Sequence, residues 1–352
     1  MDKSGEKQKW ATAWACAHRA TSFTRWNQRS FRYTIKNNFY GNAVRCSFSN
    51  WYGLNDCLIE SVWIETGRNK LPLLCNGETS FVIRGGEYRK YTDLCECSIS
   101  PGEVTIEVCF SKCDRPESGQ TFKYGSSGVV MILQSLEVRT EPHVKVMTVF
   151  GDSIAHWGFW TEPFKEAIYE KYYGEASFFE MGIDGNRLLN SSPSHASDTW
   201  GYSGIDRLRH DLLDICGLTD CFFALGRNDL ALPAEDKDEL LTFEKYTVIV
   251  ENMILELHKK SVRVTGLTML PIQNDEIFDE KRSRIRKKIN EWILKDALFD
   301  QVIDVNEKLG NAADDSIIQQ YVWQDGFHIN QLGGKVMKEQ IERNYSRGYV
   351  KE

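Results

Sequence analysis

The apolar residues of this chain change their spacing near residue 142, and that change constrains the fold more than any other feature. From about residue 30 to 140 they recur in period two. Val44, Cys46 and Phe48 stand against Arg45 and Ser47, and Val104, Ile106, Val108 and Phe110 against Glu103, Thr105 and Glu107. Side chains alternate across a strand, so these runs read as half-buried antiparallel strands. Turn residues separate them at Asn50–Gly53, Gly67–Asn69, Gly85–Gly86 and Pro101–Gly102. The expectation for residues 1–140 is an N-terminal antiparallel β-sandwich, jelly-roll-like in kind.

After residue 144, continuous apolar runs alternate with helical patterns. Strands are expected at 144–150, 177–181, 220–225, 262–268 and 301–305, and helices at 163–173 and 285–298. Phe243, Tyr246, Ile249, Val250, Met253, Ile254 and Leu257 mark one face of another long helix. Five apolar strands interleaved with helices imply an α/β domain over residues 144–352, built on a five-stranded parallel sheet covered on both faces. Pro142, in the stretch Arg139-Thr140-Glu141-Pro142-His143, breaks the pattern between the halves. A chain of 352 residues has material for a sizeable core in each.

Charge removes some function classes. The net charge is −7 and no block of five basic residues occurs, which argues against a nucleic-acid partner. The densest basic stretch, Arg282-Ser283-Arg284-Ile285-Arg286-Lys287-Lys288, carries apolar residues at helical spacing and is expected to be a solvated helix face. The segment Met1 to Lys9 has no apolar core of a signal peptide and no window approaches a membrane span, so no membrane partner and a cytoplasmic location are expected. Ten cysteines include Cys95-Glu96-Cys97 and the Cys109 to Cys113 pair, neither a CxxC spacing. They are expected to be thiols, with no metal site and no cofactor.

Functional groups of parallel sheets gather at the carboxyl ends of the strands. Gly151-Asp152-Ser153 directly follows the first apolar run. A glycine permits the sharp exit, and a serine there sits where helix N–H groups point outward. Alone the tripeptide is weak: average residue frequencies supply one in about every tenth chain of this length, and Ser153 could simply cap a helix. Gly226-Arg227-Asn228-Asp229 follows another run, and an asparagine at that edge can aim its amide at a developing oxyanion, or merely form a polar turn. Met181-Gly182-Ile183-Asp184-Gly185-Asn186-Arg187 follows a third, where a glycine can bring a backbone N–H close to a substrate or serve as a plain loop residue. Asp184 and Arg187 could contact substrate or pair with each other. Near the C-terminus, Asp325 precedes His328 by three residues, so its carboxylate can reach Nδ1 and leave Nε2 for a hydroxyl. His156 lies one turn after Ser153 but shows no evident carboxylate partner, and reads as a pocket-lining or surface residue.

Taken together, these blocks resemble the SGNH hydrolases, the GDSL-type serine esterases. Gly151-Asp152-Ser153-Ile154 is similar to the first block of that family, Gly182 to Leu189 to the second, Gly226 to Asp229 to the third and Asp325-Gly326-Phe327-His328 to the last. The resemblance covers about residues 144 to 345. Gly185-Asn186-Arg187-Leu188-Leu189 with Gly204-Ile205-Asp206-Arg207 resembles a bacterial two-domain branch that often carries an N-terminal β-sandwich. It implies a flavodoxin-like three-layer α/β/α domain with Ser153 as nucleophile, His328 as base and Asp325 as its orienter. The implied oxyanion hole is the Ser153 N–H, the Gly185 N–H and the Asn228 side chain, with Gly185 preferred to Gly182 because the block's oxyanion glycine is the later one. One departure stands out: the first block usually continues Thr-Asp-Gly, whereas Ala155-His156-Trp157 follows Ile154 here. His156, Trp157, Asp184, Arg187, Arg227 and Trp323 are the candidates for substrate contact.

The resemblance implies hydrolysis of short acyl esters, acetyl above all, on a small-molecule or oligosaccharide partner. Ten Trp and fourteen Tyr suit sugar stacking and core packing alike. Two rivals remain: a lysophospholipase or thioesterase acting on longer chains, and a carbohydrate-binding protein whose hydrolase half is catalytically weak.

Overall fold

The computed structural model describes residues 8–21, 30–111, 117–121, 129–193, 198–232, 238–273, 279–311 and 313–348. The chain divides into two compact units. The first holds residues 1–147, 167–179 and 215–218; the second holds 148–166, 180–214 and 219–352.

Antiparallel strands make up most of the first unit. One sheet runs in the order Lys9–Ala15, Leu133–Thr140, Gly41–Phe48 and Lys90–Tyr91, with Cys95–Ile99 also paired to Gly41–Phe48. Another runs Ser30–Asn37, Gly102–Phe110, Cys57–Thr66 and Asn69–Pro72, with Phe81–Ile83 on Cys57–Thr66. A smaller sheet joins Val129–Met131, Ser118–Thr121 and Arg19–Ala20. The alternation holds in Gly102–Phe110, where Val104, Ile106, Val108 and Phe110 are buried while Glu103 and Glu107 turn outward. In Gly41–Phe48 it breaks, because Ser47 is buried with Val44, Cys46 and Phe48, its hydroxyl satisfied by that of Ser135 at 2.6 Å. On that outer side Arg32 meets Glu65 at 2.6 Å and Lys70 meets Glu107 at 2.7 Å. Such exposed pairs are worth little singly, but opposite charges facing one another across the strands favour this register.

The chain's parallel sheet has the strand order Ala176–Gly182, Lys145–Gly151, Asp220–Ala224, Arg263–Leu267, Gln301–Ile303. In sequence order this is 2-1-3-4-5, a doubly wound arrangement in which the order reverses at the strand Lys145–Gly151. The architecture is therefore mixed α/β. The last strand is shorter than the apolar run because Asp304 turns its carboxylate back onto the N–H groups of Asn306 and Glu307, at 3.1 and 3.2 Å. The helix Phe243–Lys259 buries Tyr246, Val250, Met253, Ile254 and Leu257, the face read from the sequence.

The basic stretch departs from expectation. Its helix starts earlier, at Glu280, because Asp279 caps the N–H groups of Lys281 and Arg282 at 3.0 and 3.1 Å. It ends at Lys295, leaving Leu298 outside. Arg286 is not solvated. It is buried, donates to the Met269 carbonyl at 2.8 Å and pairs with Asp315. The cause is register: Arg286, Ile289 and Ile293 fall three or four apart on one face, so the apolar stripe carries Arg286 inward, while Arg282 one turn earlier stays half-buried.

The nine cysteines among the described residues are unbridged, and Cys113 lies outside them. Among the described residues no helix is long and apolar enough to cross a membrane.

Candidate active site

Gly151 closes its strand, and Asp152 then caps a single helical turn, Ser153–His156, accepting the Ile154 N–H at 2.9 Å. This cap places Ser153 at the first helical position, where the backbone N–H has no partner within the turn. The Ser153 hydroxyl lies 2.7 Å from Nε2 of His328, and Nδ1 of that ring lies 2.6 Å from Oδ2 of Asp325. The second carboxylate oxygen, Oδ1, accepts the N–H groups of Phe327 and His328, both at 2.9 Å. The turn thus ties itself, and an anionic acceptor at Nδ1 selects the tautomer whose Nε2 lone pair faces the serine. The backbone N–H of Trp323 donates to the His328 carbonyl at 2.7 Å and closes the other side of the loop. The indole of Trp157 stacks on the imidazole with centroids 3.9 Å apart and planes 21° apart, and its N–H donates to Asp184 at 3.0 Å.

Of the groups read from the sequence as oxyanion donors, Asn228 and Gly185 each keep an N–H without an acceptor among the described residues. Asn228 is buried on the short helix Arg227–Ala231 and gives one amide hydrogen to the Asn186 carbonyl at 3.0 Å, which leaves the other. The Gly182 N–H already donates to Glu180 at 2.8 Å, whereas the Gly185 N–H has no acceptor among the described residues. Gly185 has φ 71°, and a side chain there would collide with the Trp200 ring, its Cβ only 2.5 Å away. Its loop is heavily tied. The Asn186 amide donates to the carbonyls of Trp200 and Tyr202 at 2.7 and 2.8 Å, and its oxygen accepts from Arg207 at 2.5 Å. Arg207 in turn meets the Met181 carbonyl and Asp211, both at 2.7 Å. Asp229 adds a clamp by accepting the N–H groups of Leu188 and Leu189 at 2.6 and 2.8 Å.

Not every candidate reaches the site. Arg187 does not pair with Asp184 and is not presented to a substrate; it is buried against Asp238 at 2.6 Å and the Ser191 carbonyl. Arg227 is likewise buried; its Nη2 donates to the backbone carbonyls of Pro271 and Phe327 at 2.5 and 2.8 Å and its Nε to Pro271, while Nη1 has no hydrogen-bond partner among the described residues. His156 has the carboxylate partner that its sequence neighbours did not reveal, Glu180 at 3.2 Å, and it is buried rather than lining a pocket. Trp323 stays beside the site, its ring 6.4 Å from Trp157 and 5.9 Å from Phe159. The same stretch, Trp323 to Gly326, walls an open groove of about 750 Å³ that Gln273, Asn311, Ser316 and Gln319 line from the other side. Phe159, Asp152, Glu180 and Asp229 were not singled out from the sequence. Only Asp152 and Asp229 carried a signal, as acids at a strand exit and in the first turn of a helix.

Burial draws the His328 ring below the ordinary imidazole range. The Asp325 hydrogen bond opposes this and the Arg227 charge adds to it. For Asp325 burial acts upward, but the N–H of His328, its ring and the N–H of Phe327 together hold the carboxylate below its usual range. A neutral base beside an ionised orienter is the protonation state that general-base chemistry needs near neutral pH. Asp152 and Asp229 are both pushed up to about 6, in each case by burial. Among the described residues no group of three or more His, Cys, Asp or Glu is placed to hold a metal.

No family model and no curated protein matches the sequence. Solved structures do. A GDSL-like lipase from Bacteroides thetaiotaomicron aligns at 16% identity and TM-score 0.41 over 58% of this chain and 88% of that one. A carbohydrate esterase family 2 enzyme with a carbohydrate-binding domain, from Corynascus thermopiles, aligns at 12% identity and TM-score 0.43 over 95% of this chain and 99% of that one. A family two carbohydrate esterase from Clostridium thermocellum aligns at 13% identity and TM-score 0.40 over 94% of this chain and 93% of that one. The chain's neighbours among solved structures are thus GDSL-like lipases and carbohydrate esterases, at similarities that assign it neither a substrate nor a mechanism.

Proposed function

We propose that the chain is a serine ester hydrolase of the SGNH type, working through an acyl-enzyme on short acyl esters of carbohydrate. The observation that carries this reading is the continuous line from the Ser153 hydroxyl through His328 to Asp325, at 2.7 and 2.6 Å. In the first step the Ser153 oxygen attacks the ester carbonyl while Nε2 of His328 takes its proton. The carbonyl oxygen becomes an oxyanion that the Ser153 N–H, the Gly185 N–H and the free amide hydrogen of Asn228 stabilise. His328 then returns the proton to the departing alcohol, and the acyl group stays on Ser153. Water, activated by the same ring, releases the acid and restores the hydroxyl. Asp325 holds the ring in register throughout and stabilises the imidazolium that forms in each half.

The carbohydrate part of the proposal draws on two features of the same unit. The rings of Trp157, Phe159 and Trp323 cluster beside the base, as sugar faces require. The adjoining groove carries the amides of Gln273, Asn311 and Gln319 and the hydroxyl of Ser316, groups suited to a polyhydroxylated alcohol. For the first unit we read the antiparallel sheets as the layers of a jelly-roll-like β-sandwich.

Turnover of p-nitrophenyl acetate tests the chemistry: Ser153→Ala and His328→Ala abolish it, and wild-type rates in both would overturn the assignment. Acetate release from acetylated xylan and mannan oligosaccharides tests the substrate class. Activity that instead climbs from acetyl to octanoyl esters would replace the carbohydrate reading with a long-chain one.

A further inference from the structure

We infer that Arg227 is a positioning residue for His328, which grips the turn carrying the base and sets a fixed positive charge behind it. The inference rests on the serine-hydrolase reading of Ser153, Asp325 and His328. Arg227 directly precedes the proposed oxyanion residue Asn228 and follows Gly226, whose φ of 114° turns the chain from strand to helix. With only 4% of its surface exposed, the arginine lies within the fold.

Its contacts converge on the residue before the base. Nη2 donates to the Phe327 carbonyl at 2.8 Å, and the guanidinium carbon sits 3.5 Å from the centroid of the Phe327 ring. That ring meets His328 edge-on, with centroids 5.1 Å apart and planes at 86°. On its other side the guanidinium is anchored to the strand exit after Leu267, through the Pro271 carbonyl at 2.5 Å from Nη2 and 3.1 Å from Nε. A planar fork can hold two carbonyls and lie on an aromatic face at once, which a lysine ammonium cannot. Arg227 therefore ties the His328 turn to the edge of the parallel sheet.

Its charge has no direct ion-pair partner among the described residues, although the carboxylates of Asp152, Asp325 and Asp315 act on it from farther off. Every acceptor it meets is a backbone carbonyl. Burial pulls the guanidinium down to about 10, which leaves it cationic at neutral pH. Asp152, the cap of the Ser153 turn, shares with Arg227 and Thr268 the lining of a cavity of about 30 Å³, so the cation also faces the nucleophile's side of the site. The charged groups acting on the His328 ring are then three. Asp325 on its own turn and Asp184 beyond Trp157 favour the protonated ring, and Arg227 opposes them. Ser153, Trp157 and Phe327, which also pack on the ring, carry no charge.

Two measurements test this. The first is the pH dependence of kcat and KM for p-nitrophenyl acetate in wild type, Arg227→Met and Arg227→Lys. In Arg227→Met, kcat falls about tenfold to a hundredfold with KM little changed, since misplacing a base slows chemistry more than binding. Its acid limb moves to higher pH by about half a unit or more, because the opposing charge is gone. Arg227→Lys keeps the midpoint closer to wild type yet still loses kcat, the charge having been restored without the fork. An unchanged kcat and midpoint in a folded Arg227→Met protein would overturn the proposal, and a lower kcat with an unmoved midpoint would overturn its electrostatic half. Should Arg227→Met fail to fold, Phe327→Leu removes the ring under the guanidinium and leaves the cation; kcat then falls with the midpoint near wild type, and an unaltered kcat counts against the grip. The second measurement is the NMR titration of His328 in the Ser153→Ala protein with and without Arg227→Lys or Arg227→Met. It needs no turnover, so it reports on Arg227 even if the esterase reading fails. A His328 midpoint that neither substitution moves would sink the proposed charge effect.

Discussion

His328 and His156 both lean on a carboxylate in the second unit, and the contrast separates a ring turned to a hydroxyl from a ring shut inside the fold. His328 meets Asp325 at 2.6 Å and His156 meets Glu180 at 3.2 Å. The first sits on a self-tied turn with 16% of its side chain exposed, and Nε2 of its ring faces the Ser153 hydroxyl. The second lies on the helical turn that begins with Ser153, with 2% of its side chain exposed. Glu180 uses its other oxygen to hold the Gly182 N–H at 2.8 Å, so the His156 pair fastens the nucleophile's turn to the end of the strand that leads to Gly185. A His–carboxylate pair is thus no signature by itself. What distinguishes the proposed base is a ring nitrogen turned to a nucleophile at a partly open edge; the buried pair has become a brace.

The widest gap between the two should appear in turnover. His328→Ala and Ser153→Ala are each expected to lower kcat/KM for p-nitrophenyl acetate on the order of 10⁴-fold or more, as losses within such triads do. His156→Gln should stay within about tenfold of wild type, since a brace acts on rate only through small displacements. Equal losses in His156→Gln and His328→Ala would erase the distinction. Next in size is Asn228→Ala, expected to cost kcat on the order of 10² to 10³ with KM little altered, the outcome required by the proposed oxyanion role of its second amide hydrogen. A loss confined to KM would remove Asn228 from that role.

The two histidines also mark how far the sequence can be read. Asp325 and His328 are three apart in one turn, so their approach is local and legible, and Ser153 follows an apolar strand whose edge is where such groups collect. The five parallel strands were legible for a similar reason, each apolar run being bounded by helical spacing. His156 and Glu180 lie 24 residues apart and meet only because a helical turn packs over the end of the next strand; no spacing rule announces that. Arg187 shows the same limit, since the Asp238 that draws it inward is 51 residues away. Arg286 was a different failure: its place on the apolar stripe was present in the spacing, but the density of charge around it outweighed the register.

Stability should reverse the order of the two pairs. Replacing His156 by Gln leaves the Glu180 carboxylate without its ring partner in a nearly closed site, an arrangement that costs about 1 to 3 kcal/mol. Urea unfolding of the whole protein should show that loss for His156→Gln and less for His328→Gln, whose Asp325 partner is 39% exposed and can turn to water. If the His328 variant is the less stable of the two, His156 is not the brace described here.

The smallest effect is a pH midpoint. His328 sits below the ordinary imidazole range, burial being the main cause, so the acid limb of kcat/KM should lie below about 6.5, with activity rising as pH rises and the ring loses its proton. Asp325 pulls the other way, since its charge and hydrogen bond favour the protonated ring. Asp325→Asn removes that support, and the acid limb of the residual activity should therefore move to still lower pH while the rate falls. A shift to higher pH would mean that Asp325 does not stabilise the imidazolium, and the orienting role would pass to another group. In His156→Gln the midpoint should stay where it is, because that ring's carboxylate serves the strand end and not the nucleophile.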